Sequence, residues 1–412
     1  MLPTRARALL RTLPVFAMLA CAPLLGCDDP VLWITQPGDS PVSLDPPRST
    51  IEKEHVVSGS LHDPAIGEDQ AYLARLSTEG EVLRSITFAA HWIHIERVEL
   101  DRMAFIADLQ VPDTDTFVPT VGLLDEGANL LWSKQVPGAT LAGKAMSSRL
   151  WTTGTRHTPG EDDVAFYTSF LASDGSDPRT FEWTSGPLLR ITGVVHSGNT
   201  NTVLAGTTGE HPTSLDGFLL EINPVGEIVW TRTFPRTPIS ALTMDAGRGR
   251  AYFTGLDETS ATPTLFVAGV DTDGKDLFWK TFETDPSNPD ASVHPTTIEY
   301  RYRSATDEGA EDVEELLVAG SFNGRLHFDL GDPLVGPHDG FLVTLDTAGQ
   351  PTWQLAAGGP ATDTFSATFG HDDTVLAALQ TTDHRGSAPV KVEGHELTPR
   401  GDLDTAVMQI QR

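Results

Sequence analysis

Three stretches of this 412-residue chain carry side chains in spacings that could do chemistry. Asp271-Thr272-Asp273-Gly274-Lys275-Asp276 sets carboxylates at alternate positions around a glycine, as a calcium loop begins. Such a loop needs a bidentate carboxylate at its twelfth position, which here is Phe282, so the stretch reads as a structural turn. Gly138-Ala139-Thr140-Leu141-Ala142-Gly143-Lys144 has the spacing of a phosphate cradle, but Ala145 stands where a magnesium-binding hydroxyl is required. His91-Trp92-Ile93-His94-Ile95-Glu96 gathers metal-ligand types; side chains alternate along a strand, so only His94 and Glu96 share a face. Neither a His-Glu-x-x-His pair nor a Gly-x-Ser-x-Gly elbow occurs. These patterns nominate no catalytic residue, no metal and no cofactor.

What must position any site is a repeat. Trp33, Arg84, Trp132, Trp183, Trp230, Trp279 and Trp353 each stand in a short hydrophobic run, spaced 51, 48, 51, 47, 49 and 74 residues apart. A period near fifty is that of a radial array of four-stranded blades. The expected fold is all-β, a seven-bladed β-propeller of four-stranded antiparallel blades forming one domain over residues 27–412. In the clearest unit, Thr202-Val203-Leu204-Ala205-Gly206 is followed by Asp216-Gly217-Phe218-Leu219-Leu220-Glu221-Ile222, a turn at Asn223-Pro224-Val225-Gly226, and a strand ending in Trp230. The first of these strands is a continuous apolar run because neighbouring blades cover both of its faces. Asp69, Asp163, Asp216, Asp339 and Asp404 open the third strands, and Gly80, Gly127, Gly226, Gly274 and Gly349 mark the turns that follow them or their equivalents.

Two interruptions stand out. Phe322 to His338 and Gln380 to Leu403 lengthen the connection between second and third strands in blades six and seven, and their alternation predicts hairpins reaching off the disc. Blade six also inserts Glu283 to Asn288 and the acidic run Asp307, Glu308, Glu311, Asp312, Glu314 and Glu315, which reads as a solvated loop, with a cation or partner site as the alternative. The last blade ends at Asp404-Thr405-Ala406-Val407-Met408-Gln409-Ile410 without a fourth strand, while Val31-Leu32-Trp33-Ile34-Thr35 is a fourth strand without a blade. Their pairing would close the ring and remove two open edges.

The innermost strands would present His94, Glu96, Lys144, Arg190, Glu299 and Arg301 along the central channel. Two function classes follow: an interaction module binding through a broad polar or aromatic patch, or an enzyme acting on a polysaccharide or small molecule at a channel mouth. Without a catalytic motif, the binding module is the expected class.

The N-terminal segment adds an address. Arg5, Arg7 and Arg11 precede an apolar run from Leu13 to Leu25, interrupted by Pro14 and Pro23 and too short to span a membrane. It ends in Leu24-Leu25-Gly26-Cys27, which resembles the lipobox of bacterial lipoproteins; residues 1–26 would then be a signal peptide and Cys27 the lipidated first residue. Cys21, behind Leu19-Ala20, is a second such box with Met18 where leucine is preferred; an ordinary secretory signal is the remaining reading. Gly320-Ser321-Phe322, then Asp339-Gly340-Phe341-Leu342-Val343-Thr344-Leu345-Asp346-Thr347-Ala348-Gly349, then Trp353 look like the β-propeller repeats of exported bacterial proteins and lipoproteins. The Asp271 to Asp276 turn with Trp279 also resembles the docking repeat of quinone-dependent dehydrogenases, in this one repeat. The resemblance implies a cell-envelope protein, anchored through lipid on Cys27 and facing periplasm or cell surface, with a monomeric body and a protein or glycan partner. Cleavage before Cys27 leaves one cysteine, itself modified, and 25 basic against 57 acidic residues, a formal net charge of −32. That surface repels phosphate backbones and argues against nucleic acid as a partner.

Overall fold

A computed structural model describes residues 31–412 except 36–41, 45–46, 50–53, 64–67, 89, 100–101, 112–115, 126, 137, 147–148, 157–162, 185–187, 197–200, 212–213, 261, 286–287, 289, 305–311, 360, 371–372, 383–388, 393–394 and 399–402. Cys27, Cys21 and the signal segment, with Asp307, Glu308 and Glu311, lie outside the described residues.

The described strands form seven antiparallel sheets, the blades of a seven-bladed β-propeller. Strands are lettered a to d from the centre outwards. Blade four shows the plan: Leu188–His196, Thr202–His211, Ser214–Ile222 and Ile228–Phe234 pair in order. Blade five repeats it with Ile239–Asp245, Arg250–Asp257, Thr264–Val270 and Asp276–Phe282. The apolar runs of the b and c strands are buried, as their continuous apolar sequences require, while the strand ends towards the b-to-c connections are half-buried or exposed. There is accordingly no single core. The described hydrophobic clusters number seven, one at each blade boundary; Val203, Ala205 and Leu219 of blade four, for example, pack on Ala251, Phe253 and Phe266 of blade five. The a-to-b and c-to-d turns share one face of the disc, called the turn face below.

The ring is closed as expected. Val31–Thr35 forms the d strand of blade seven, with Thr35 opposite Val407, Ile34 opposite Met408 and Trp33 opposite Gln409. Val31 is buried among Phe365, Val375, Met408 and Ile410, and Ile34 packs against the same cluster.

The repeated d-strand aromatic has a defined job. The Trp132 indole N–H donates to Ala172 O of the next blade at 3.0 Å, and Trp230 donates likewise to Thr272 O at 3.1 Å. Each ring covers a turn glycine of that next blade: a Cβ on Gly274, whose φ is +73°, would lie 2.9 Å from the Trp230 ring. Arg84 substitutes charge for the ring. Its guanidinium reaches the blade-two turn at Gly127 and helps hold Asp125 ionised there, after the larger contribution of the Asn129 hydrogen bond.

At two positions the sequence register needs correction. Trp230 lies opposite Glu221, two residues before the turn at Asn223; the residue in that place in blade five is Phe278, opposite Gly269. Phe278 covers Gly349 of blade six. Trp279, one residue on, faces the other way and stacks on Phe266 with ring centroids 4.6 Å apart. In blade three Phe181, not Trp183, lies over the turn glycine Gly226.

The two excursions also fold differently from expectation: they lie back on the disc. In blade six, Val313–Leu326 and Leu334–Asp346 are long b and c strands. The connection between them turns back so that Leu326 pairs with Thr284 and Phe328 buries itself against Phe282 and Phe341. In blade seven, Val390–Val392 and His395–Leu397 form a hairpin that adds to the d strand of blade six, Pro351–Gly358, with Val390 and Val392 buried. Burying those apolar residues is worth more than projecting them into water.

Candidate functional site

The six channel candidates all fall on a strands. His94 and Glu96 lie on Ala90–Glu99, Lys144 on Ala139–Met146, Arg190 on Leu188–His196, and Glu299 and Arg301 on Ser292–Arg303. They are spread over blades two, three, four and six. Arg190 is exposed, and the side chains of Glu96 and Lys144 lie outside the described positions. His91, on the strand of His94, stacks on Phe117 with centroids 3.6 Å apart. Arg301 joins a charge cluster with Glu315 of the acidic run and with Asp373 and Arg412, which the sequence did not single out.

That cluster sits on the turn face between blades six and seven. Glu315 lies in the b strand of blade six, opposite Arg301, instead of in a solvated loop, and Arg301 donates to it through Nη2 at 2.6 Å. Arg412 adds a bidentate pair at 2.9 Å through both terminal nitrogens. Asp373, in the a-to-b turn of blade seven, accepts from Arg412 at 3.3 Å and pairs with Arg303 at 2.6 Å. Both Arg301 and Arg412 lie over the Phe369 ring. Burial alone would raise the Glu315 carboxyl, but bonds from Arg412 and Arg301 hold it below its ordinary value. Bonding to Arg303 lowers Asp373 likewise. Glu314, next in the same strand, pairs with Arg248 of blade five. Every acid here is committed to a neighbouring blade, which makes the cluster a lock between blades.

The opposite face carries carboxyls that staple one blade to the next and one, Asp339, with an oxygen that does not. In blade four, Asp216 accepts the Arg236 amide at 2.8 Å and so staples the connection to the next blade; Asp163 of blade three takes the Leu189 amide at 3.3 Å. Asp339 holds the equivalent place in blade six. There the amide two residues past the paired Ala357, that of Gly359, donates forward to Asp363 at 2.9 Å. Asp339 Oδ1 is left buried without a hydrogen-bond partner, wedged between Gly336 and Gly358, where any Cβ would collide with its carboxyl. Burial pushes Asp339 up to about 6, with His338 acting weakly against it. Asp363, fully buried, is also pushed up to about 6 by desolvation, against hydrogen bonds from Thr381 Oγ1 and the Gly359 amide and with help from the Asp339 charge. His294 is lowered by desolvation and then by His338. The blade-seven hairpin pairs Lys391 with Gly358, so it borders this site directly.

Asp339 appeared in the sequence as one more strand-opening aspartate. Gly336, Gly358 and Gly359 around it, with Asp363 close behind, were the available signal that its surroundings differ from those of Asp216. The two carboxyls move in the same direction, whereas the lowered carboxylates Glu315 and Asp373 sit on the other face. Among the described residues no group of three or more His, Cys, Asp or Glu side chains is placed to hold a metal ion.

No protein-family model and no curated protein matches the chain. Solved structures do. Sqt1 from Chaetomium thermophilum is 10% identical over 93% of this chain and 99% of its own, with a TM-score of 0.52. The β-propeller domain of the Trilobed protease from Pyrococcus furiosus is 13% identical over 87% of this chain and 98% of its own, with a TM-score of 0.48. Acylaminoacyl peptidase from Pyrococcus horikoshii is 12% identical over 85% of this chain, with a TM-score of 0.43, and the chain spans 59% of that enzyme's length. These likenesses are of fold.

Proposed function

We propose that the protein is a lipid-anchored, extracytoplasmic β-propeller that binds a protein or glycan partner without converting it. The observation that carries this reading is the separation of the two ends of the body. Val31 pairs with Ile410, so the closing strand begins at the turn face, and a lipid on Cys27 would tether that face. The folded-back excursions of blades six and seven, with Asp339 and its unpartnered oxygen, lie on the opposite face, turned away from a membrane. The exposed Val335 and Lys391 give that face both apolar and charged contact points.

Mass spectrometry of the mature N-terminus tests the anchor, and Cys27→Ser should release the protein from the membrane. Glycan arrays and affinity capture with the intact mature protein test the binding face. A bound partner lost in Val335→Glu or Lys391→Glu at unchanged melting temperature supports the reading. A second reading, an enzyme acting on a polysaccharide or small molecule, draws on Asp339, because a carboxyl near 6 can serve as a general acid. Turnover of a captured glycan that Asp339→Asn abolishes would favour it.

A further inference from the structure

Exposed aliphatic side chains are unevenly distributed over the body. Leu32, Leu83, Leu130, Leu131, Val229 and Leu277 are among the large apolar residues most open to water. Each is the first or second residue of a d strand: Val31–Thr35, Val82–Phe88, Leu130–Gln135, Ile228–Phe234 or Asp276–Phe282. Because every d strand starts from the turn face, these residues form a rim around that end of the disc.

Cys27 is four residues ahead of Val31, a reach of at most about 14 Å of extended chain. Blades seven, one and two, which carry Leu32, Leu83, Leu130 and Leu131, are neighbours packed through shared clusters. The apolar arc therefore flanks the attachment point. Resting on the lipidation of Cys27, we infer that this arc beds into the headgroup region of the bilayer, so that the propeller stands on its rim instead of swinging on its tether. Apolar side chains at an interface gain by leaving water, and the tether keeps the lipid surface within reach at all times.

Charge selects the lipid. The turns at the same end carry Asp125, Asp271 and Asp346, with Asp273 paired to Lys275, and Asp125 is held ionised chiefly by Asn129. Asp271 and Asp346 accept turn amides, which keeps their carboxylates facing this end. A like-charged surface would repel them, so the partner is a zwitterionic surface.

The test uses lipidated full-length mature protein in vesicles of phosphatidylcholine and phosphatidylethanolamine. With Cys27 consumed by lipid, Leu131→Cys or Val335→Cys supplies a single thiol for an environment-sensitive dye. The Leu131 label should shift to the blue and be shielded from aqueous iodide, the Val335 label should do neither, and added phosphatidylglycerol should weaken the shift. Equal quenching of both labels on protein that still floats with the vesicles would overturn rim docking and leave the anchor standing. Wild-type protein that does not float, or floats no better than Cys27→Ser, would remove the anchor and this inference with it.

Discussion

The Trp230 indole N–H donates to the carbonyl of Thr272 across the boundary between blades four and five, 3.1 Å away. The ring also covers Gly274, which needs both its positive φ and its missing side chain. Gly274→Ala should therefore cost about 1–3 kcal/mol, from backbone strain and displacement of the ring together. Gly331→Ala is the control. Its φ is +100° with nothing within 4 Å, so it should cost only the backbone share, about 1 kcal/mol. Urea unfolding of Gly274→Ala in the wild-type and Trp230→Ala backgrounds separates the terms, with Gly331→Ala showing strain without a ring, and equal losses in the two backgrounds would mean that the ring contact contributes nothing.

Asp363 gives stability an unusual pH dependence. Its folded value, about 6, lies above that of an unfolded aspartate, so between those values the folded state binds more protons. Its favourable contribution is complete below the unfolded value and is lost as pH rises through about 6, leaving a penalty of about 2–3 kcal/mol at neutral pH. Thermal melting should rise from pH 7 to pH 5. Asp363→Asn should flatten that slope, and an unchanged slope in the variant would contradict the assignment.

Glu315→Ala should be among the most damaging single changes on the turn face. It strands Arg301 and Arg412, whose side chains are 13% and 9% exposed, without their shared carboxylate. Removing one partner of a largely buried pair costs about 3 kcal/mol or more. Glu315→Gln, which keeps the shape and an acceptor, should lose less. Denaturant midpoints for the two variants check the order.

Deleting Val31–Thr35 should open the ring. The deletion exposes the edge of Leu403–Gln411 and removes Val31 and Ile34 from a cluster that joins blades six and seven. Several kcal/mol would be lost against a total of about 5–15 kcal/mol, with aggregation through the free edge. Light scattering and melting of the mature protein with and without the strand measure both effects.

The sequence made the repeat, the closing strand and the excursions' positions legible because each follows from a period or a missing partner. It placed Trp279 where Phe278 belongs because both are bulky and adjacent, and a shift of one residue changes which face a side chain takes. The Glu315 lock was hidden because Arg301, Asp373 and Arg412 come from different strands, and Glu315 itself sat in an acidic run that resembles solvated loop. Asp339 opens its strand with the same Asp-Gly-Phe-Leu run as Asp216, so the glycines around it were the one visible difference. What separates them is which carboxyl receives the Gly359 amide, a choice made by packing at the boundary of blades six and seven.

The central claim is that the protein binds a partner through the face carrying the blade-six and blade-seven excursions. A photoreactive residue placed at Val335 in the full chain expressed in cells tests it most directly, with one at Val229 on the opposite rim for comparison. The account predicts a discrete crosslinked partner from Val335, lost when Lys391→Glu is added. A partner trapped from Val229 alone, or from neither position, would contradict it.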